Sequence, residues 1–225
     1  MTDLDRKALA GMGQLAAVMA ALLFLPAGTL DYWQAWLFLA VFFGAALAVT
    51  VYLMKHDPQL LARRMKAGPL AEKGWRQKII LLLMSLGFAA GIVVPALDRR
   101  FGWSSVPASL AVAGDALFAL GYLVVFFVFR ANSYAAAIVD VVPGQTVVST
   151  GPYAIVRHPM YAGAIVMFLG EPLALASWWG VVPVAAMMLV GGWRLLDEER
   201  VLTANLPGYA EYRARVRYRL LPGVW

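Results

Sequence analysis

The densest group of chemically capable side chains lies in Gly151–Tyr161, which reads GPYAIVRHPMY. Pro159 disfavours helical backbone at His158 and is itself favoured at the first position of a helix, so we expect a helix to begin there. The free N–H groups and positive dipole end of a helix start suit an anion such as a carboxylate. Arg157 and His158 would add hydrogen-bond donors.

Two aromatic residues belong to the same stretch. Tyr153 and Tyr161 could stack on a base or face a cation. Taken singly, an Arg, a His or a Tyr at the start of an apolar segment is more typical of an anchor at the membrane interface. The whole set within one short stretch favours a binding site.

A second group of charged residues follows the last apolar segment and comprises Arg194, Asp197, Glu198 and Glu199. Arg194 and Glu198 are four residues apart and therefore share one helix face. Charged groups close to a bilayer usually face a cavity or one another. The alternative is a solvated ion pair at a helix end, which contributes only a few tenths of a kcal/mol.

The tail of the chain, LPGYAEYRARVRYRLLPGVW, interleaves tyrosine with arginine and includes Tyr209 and Tyr212. Such a segment is typical of one that lies on an anionic membrane surface, although it could also close a site. Two isolated polar residues are further candidates. Glu171 stands within apolar sequence, where an acid is often functional, and Asn132 follows an apolar segment.

The surrounding sequence determines which elements must position these residues. Hydrophobic residues make up 62% of the chain and charged residues 14%, against about 25% in ordinary soluble domains. A membrane helix needs about 20 apolar residues, so we predict an all-α, polytopic membrane helix bundle. Its six predicted segments lie near Ala8–Ala27, Tyr32–Met54, Ile79–Leu97, Ala108–Phe129, Met160–Ala176 and Trp178–Trp193.

The last two segments adjoin without a polar loop, which predicts a helical hairpin, and the tail after it predicts a helical cap. Between the fourth and fifth segments, the sequence AIVDVVPGQTVVST indicates two short extended runs around a Pro143–Gly144 turn. We divide the chain into N-terminal membrane helices at residues 1–130 and a core with its C-terminal cap at residues 131–225.

The distribution of basic residues predicts the orientation. Lys and Arg are frequent before the first segment, in the loop Lys55–Lys78 and after Trp193, whereas the opposite side would hold only Arg99 and Arg100. Cytoplasmic loops carry such an excess, so both termini should be cytoplasmic, in a bacterial inner membrane. The net charge of +6 then reflects membrane lipids and not a nucleic-acid partner.

The absence of several residue types and motifs limits the kinds of catalytic site that the chain could contain. The chain has no cysteine and two histidines, which disfavours thiol catalysis and a metal centre. No GxGxxG or GxxxxGK[ST] motif occurs, so a conventional Rossmann domain is excluded. A cofactor would have to bind between helices and loops.

Three features of the chain are shared with one family: the sequence RHPMY at 157–161, the paired acids Glu198–Glu199 and the closing run from Leu206. In these features the chain resembles the membrane methyltransferases typified by isoprenylcysteine carboxyl methyltransferase, with the phospholipid methyltransferases as relatives. The resemblance covers Asn132 to Trp225. It implies a transferase that uses S-adenosyl-L-methionine, in a pocket roofed on the cytoplasmic side, for methylation of a lipophilic acceptor that enters from the bilayer.

Carried onto this chain, the resemblance implies catalytic roles for Arg194 and Glu198. The resemblance and the chemistry of the side chains together predict these cofactor-binding residues: Tyr153, Arg157, His158, Pro159, Tyr161, Glu199, Tyr209 and Tyr212. The acceptor stays open: a carboxylate, thiol, amine or lipid head group would each fit. Two other classes also stay open, an NADPH-dependent membrane reductase of the sterol-reductase type and a non-enzymatic membrane scaffold.

Overall fold

A computed structural model describes residues 1–72 and 74–225, and only Lys73, one of the basic residues in the loop Lys55–Lys78, lies outside the described residues. The described part is helical and contains no strand. Its α-helices, in chain order, are α1 (Asp3–Ala27), α2 (Trp33–His56), α3 (Pro58–Met65), α4 (Trp75–Phe101), α5 (Ala108–Ala131), α6 (Pro159–Ala174), α7 (Val181–Asn205) and α8 (Tyr209–Arg215).

Each of the six predicted apolar segments coincides with a helix, which confirms the polytopic helical bundle. Four helices, α1, α2, α4 and α5, are long and apolar enough to cross a membrane. The apolar helix α6 is shorter, with 16 residues. In α7 the apolar first part gives way to the charged residues that follow Trp193.

Helices α5 and α6 pack with their backbones close together, because glycines remove the side chains between them. A Cβ atom added at Gly170 would lie 2.5 Å from the carbonyl oxygen of Gly114, and one added at Gly121 would lie 2.6 Å from the carbonyl oxygen of Gly163. Small residues that allow two backbones to approach are the usual device of helix association in membranes. They hold α6, and the helix start that carries His158, against α5.

Helices α6 and α7 are joined by residues 175–180, as a helical hairpin requires, but α6 packs mainly on α5 and α7 mainly on α4. A buried carboxylate organises the connection. Asp98 of α4 accepts hydrogen bonds from the hydroxyl groups of Ser177, at 2.5 Å, and Ser104. The connection is therefore fixed to the end of α4, and α7 returns along that helix.

The polar segments gather at the opposite end of the bundle. The long loop 132–150 turns at Pro143–Gly144, as predicted, with Gly144 at φ 77° and a hydrogen bond of 3.1 Å from the Gln145 amide to the Val142 carbonyl. The tail passes beside the start of α6: the amides of Arg157 and His158 donate to the carbonyls of Tyr218 and Arg219, both at 2.9 Å.

The α5–α6 contact predicts the effect of a single methyl group. Gly170→Ala should lower the free energy of unfolding by about 1–3 kcal/mol, because the added atom overpacks two backbones. Thermal unfolding in detergent measures the shift. Gly44→Ala in α2 is the control, since a Cβ there meets nothing within 4 Å. The close packing would be refuted if both variants unfolded at the same temperature.

Candidate functional site

The start of α6 has the predicted form. His158 is the residue that precedes the helix, with non-helical angles of φ −124° and ψ 62°, and Pro159 occupies the first turn. His158 is 4% exposed and Arg157 is 7% exposed, so both side chains are buried at this helix start. An interface anchor would keep its charged end in water, which these two residues do not do.

Both side chains bind a carboxylate from α7. Arg157 donates through Nε to Oε1 of Glu199 at 2.7 Å, and Nε2 of His158 lies 3.2 Å from the same oxygen. The second oxygen of Glu199 accepts a hydrogen bond of 2.9 Å from Nε of Arg219 in the tail. Although burial opposes ionisation, the hydrogen bonds from His158, Arg157 and Arg219 lower the pKa of Glu199 below its ordinary value.

Arg157 extends this cluster into the tail. Its Nη1 donates to the carbonyls of Val216, at 2.9 Å, and Arg217, at 2.7 Å. One guanidinium thus connects α6, α7 and the segment after α8. The sequence predicted Arg157 and His158 as donors to a ligand, whereas the structure directs these contacts to Glu199 and to backbone carbonyls.

A cavity of about 310 Å³ lies beside this cluster. Ligand pockets in proteins are typically about 300–1,000 Å³, so the cavity is large enough to hold a small molecule. Nine of the ten predicted site residues line it: Tyr153, Arg157, His158, Pro159, Tyr161, Arg194, Glu198, Tyr209 and Tyr212. The tenth, Glu199, lies behind the wall and positions Arg157 and His158.

Arg194 and Glu198 share a helix face and line one cavity, but they do not form the ion pair that their spacing allows. Arg194, 7% exposed, donates to Glu72 at 3.3 Å and to the Ala137 carbonyl at 2.9 Å. Glu198 instead accepts a hydrogen bond of 2.7 Å from the Tyr161 hydroxyl. The solvated ion pair considered from sequence is therefore wrong for this buried arginine.

The tyrosines form much of the remaining wall. Burial raises the pKa of Tyr153 to about 12, so its hydroxyl is neutral, and it accepts a hydrogen bond of 2.9 Å from the Asn132 side-chain amide. The Tyr212 hydroxyl donates to the Tyr153 carbonyl at 2.8 Å. Tyr209 differs from both, because its buried hydroxyl has no hydrogen-bond partner among the described residues.

The sequence did not single out several lining residues. Arg64 of α3, Leu81 and Met84 of α4, and Tyr134 and Gln145 of the long loop all line the cavity. Their neighbours in sequence carry no distinguishing motif, and only the folding of α3, α4 and the long loop against the core brings them to the cavity. Glu171 lies elsewhere, 1% exposed in α6 and facing Gly91 of α4.

The fold and the cavity define a polytopic helical membrane protein with a ligand-sized site at one end of its bundle. Residues 110–208 match the model of the phospholipid methyltransferase family. The match confirms, over this part of the chain, the family resemblance seen in the sequence. It spans most of α5, the long loop 132–150, α6 and α7, and this segment, chiefly the loop, carries most of the cavity wall. No curated protein gives a significant match to the chain.

The Glu199 cluster predicts a dependence on pH. Because the pKa of Glu199 is lower in the folded protein than its ordinary value of 4.5, its contribution to stability is present above about pH 4.5 and is lost as the pH falls below it. Glu199→Gln should therefore cost about 3–5 kcal/mol at pH 7, since it leaves buried cations without their partner. The cost should shrink towards pH 3.

Thermal unfolding midpoints of wild type and variant, measured from pH 7 to pH 3, check this. Glu211→Gln in α8 is the matched control, because Glu211 is exposed. A constant difference between wild type and Glu199→Gln over the whole range would contradict an ionised, stabilising Glu199.

Proposed function

We propose that this protein is an integral membrane methyltransferase that transfers the methyl group of S-adenosyl-L-methionine to a lipophilic acceptor. The observation that carries the proposal is the convergence of three separate segments on one cavity: the start of α6, the charged part of α7 and the tail. The cavity lies largely in the segment that matches the phospholipid methyltransferase family.

The side chains present fit such a cofactor. Glu198 has one described hydrogen-bond partner, so its carboxylate can accept further bonds from an ammonium group or lie beside a sulfonium. The unpartnered hydroxyl of Tyr209 offers a hydrogen bond to a ligand in the cavity. The tyrosine-rich wall supplies flat faces against which an adenine can stack. When bound, the cofactor supplies an electrophilic methyl group on sulfur.

The apolar part of the wall supports an acceptor with a hydrophobic body. Leu81 and Met84 of α4 and Ala164 of α6 line the cavity on the side of the apolar bundle. An acceptor there could leave its hydrophobic part among the helices and present a polar atom to the cavity. Methyl transfer to that polar atom would leave the cofactor as a neutral sulfide, so the reaction would need no further reactant.

For this reaction the protein has mainly to position the two reactants and to exclude water from the site. Bringing two reactants into line at about 3–3.5 Å can supply roughly 7–11 kcal/mol of the barrier. Arg194 is held by Glu72, Gln77 and the Ala137 carbonyl, so it is a fixed positive group in the wall, suited to an anionic acceptor. The excess of basic residues supports a cytoplasmic location for this end of the bundle.

Cofactor choice is the first test. The purified protein in detergent should bind S-adenosylhomocysteine with a Kd of about 1 μM or tighter, near −8 kcal/mol, and should not bind NADPH. Isothermal titration calorimetry measures both. Heat with NADPH and none with S-adenosylhomocysteine would instead support a membrane reductase, and heat with neither would support a scaffold.

Glu198 provides the second test. Glu198→Gln keeps a group that can accept the Tyr161 hydrogen bond but loses the negative charge, so it should lower turnover by about 100-fold, near 2.7 kcal/mol. Methyl transfer from radiolabelled S-adenosylmethionine into extracted lipid measures turnover, and thermal unfolding should change little. The exposed Arg215→Ala in α8 is the control. Near-normal turnover of Glu198→Gln would place the methyl-transfer centre elsewhere in the cavity.

A further inference from the structure

Arg64 is a cationic group at the cavity that lacks a described anionic partner. It belongs to α3, lies outside the segment that matches the family, and lines the cavity beside the α6 start, where its Nη1 lies 3.9 Å from the sulfur of Met160. The salt bridges formed by the cavity's other arginines pair Arg157 with Glu199 and Arg194 with Glu72. No carboxylate among residues 1–72 and 74–225 forms a salt bridge with Arg64.

The contacts of Arg64 hold the side chain in place without neutralising it. Its Nη1 donates to the Ala135 carbonyl at 3.2 Å, with the Ala136 carbonyl at 3.5 Å, and its Cζ lies 4.6 Å from the centre of the Phe129 ring. Nε and Nη2 donate to no group in the described part of the chain. A guanidinium has five N–H donors in a fixed fork, so most of them remain for a ligand.

The surroundings of Arg64 disfavour an isolated charge. Burial lowers the pKa of Arg64, and the like charge of Arg194 lowers it further. A partly buried cation without a counter-ion is costly, and a ligand anion would remove that cost. Among anions, the planar carboxylate matches the guanidinium fork in a bidentate arrangement.

We propose that Arg64 binds the amino-acid carboxylate of the methyl donor and its product, so that the cofactor spans the cavity from Arg64 to Glu198. The proposal rests on the proposed function. It assigns Arg64 to the ligand's carboxylate and Glu198 to its ammonium or sulfonium. The two charged ends of one ligand would then each meet an opposite charge.

Two ligands that differ only in the carboxylate test the proposal: S-adenosylhomocysteine and its decarboxylated analogue. Calorimetry on the wild type should show about 10- to 100-fold tighter binding of S-adenosylhomocysteine, as expected for a charge-assisted hydrogen bond. Arg64→Met, which keeps an apolar stem over Phe129, should lose this preference by weakening S-adenosylhomocysteine alone. Arg64→Lys, which keeps the charge but not the fork, should retain part of it.

Arg63→Met is the matched control. Arg63 is the neighbouring residue of α3 and donates to the Ser133 carbonyl at 2.7 Å, so it contacts the same loop as Arg64 but does not line the cavity. It should keep the wild-type preference. If Arg64→Met weakens both ligands equally, Arg64 only holds the loop and the proposal is overturned.

The remaining outcomes are also decisive. Equal affinity of the wild type for both ligands would overturn the role of Arg64 and leave the methyltransferase assignment intact. Binding of neither ligand by the wild type would overturn both. If Arg64→Met does not fold, as thermal unfolding would show, Arg64→Lys carries the test. A partial loss of the wild-type preference in that variant supports the proposal, and an unchanged preference overturns it.

Discussion

The buried carboxylate of Glu199 is the interaction on which the site depends. It lies where α6, α7 and the tail meet, and it binds Arg157, His158 and Arg219, which come from two of these three elements. A buried ion pair stabilises only when its hydrogen bonds are satisfied, and here both oxygens have partners. The result is a fixed position for the helix start and for the tail that covers it.

The membrane part of the fold supplies the frame for that cluster. Glycines between α5 and α6 bring their backbones into contact, and the Asp98 carboxylate fixes the α6–α7 connection to α4. The Gly121–Gly163 contact adjoins Ala164 of the cavity wall and the Asp98 contacts lie at the opposite end of the bundle, but none of these residues lines the cavity itself. They nevertheless set the separation of α6 from α7, and hence whether Glu199 can reach Arg157 and His158.

The cavity combines charges of two kinds. Arg157 and Arg194 are paired with buried carboxylates and therefore act as fixed parts of the wall. Glu198 and Arg64 retain hydrogen-bonding capacity that the described chain does not use fully. This division suits a zwitterionic ligand with a hydrophobic reaction partner. The paired arginines, Arg157 and Arg194, make the wall rigid, and Glu198 and Arg64 recognise the charges of the ligand.

The sequence by itself determined the helical membrane architecture, because long apolar segments have few other folded states in a bilayer. It also determined the helix start at Pro159, through the local restriction of the proline ring, and it singled out nine residues that the structure places around one cavity. Only the tertiary structure decided the partners. Spacing placed Arg194 beside Glu198, yet Arg194 pairs with Glu72, which is distant in sequence, and Arg64 reaches the cavity from a short helix without a motif. Such pairings depend on how helices pack, and local sequence patterns do not record that.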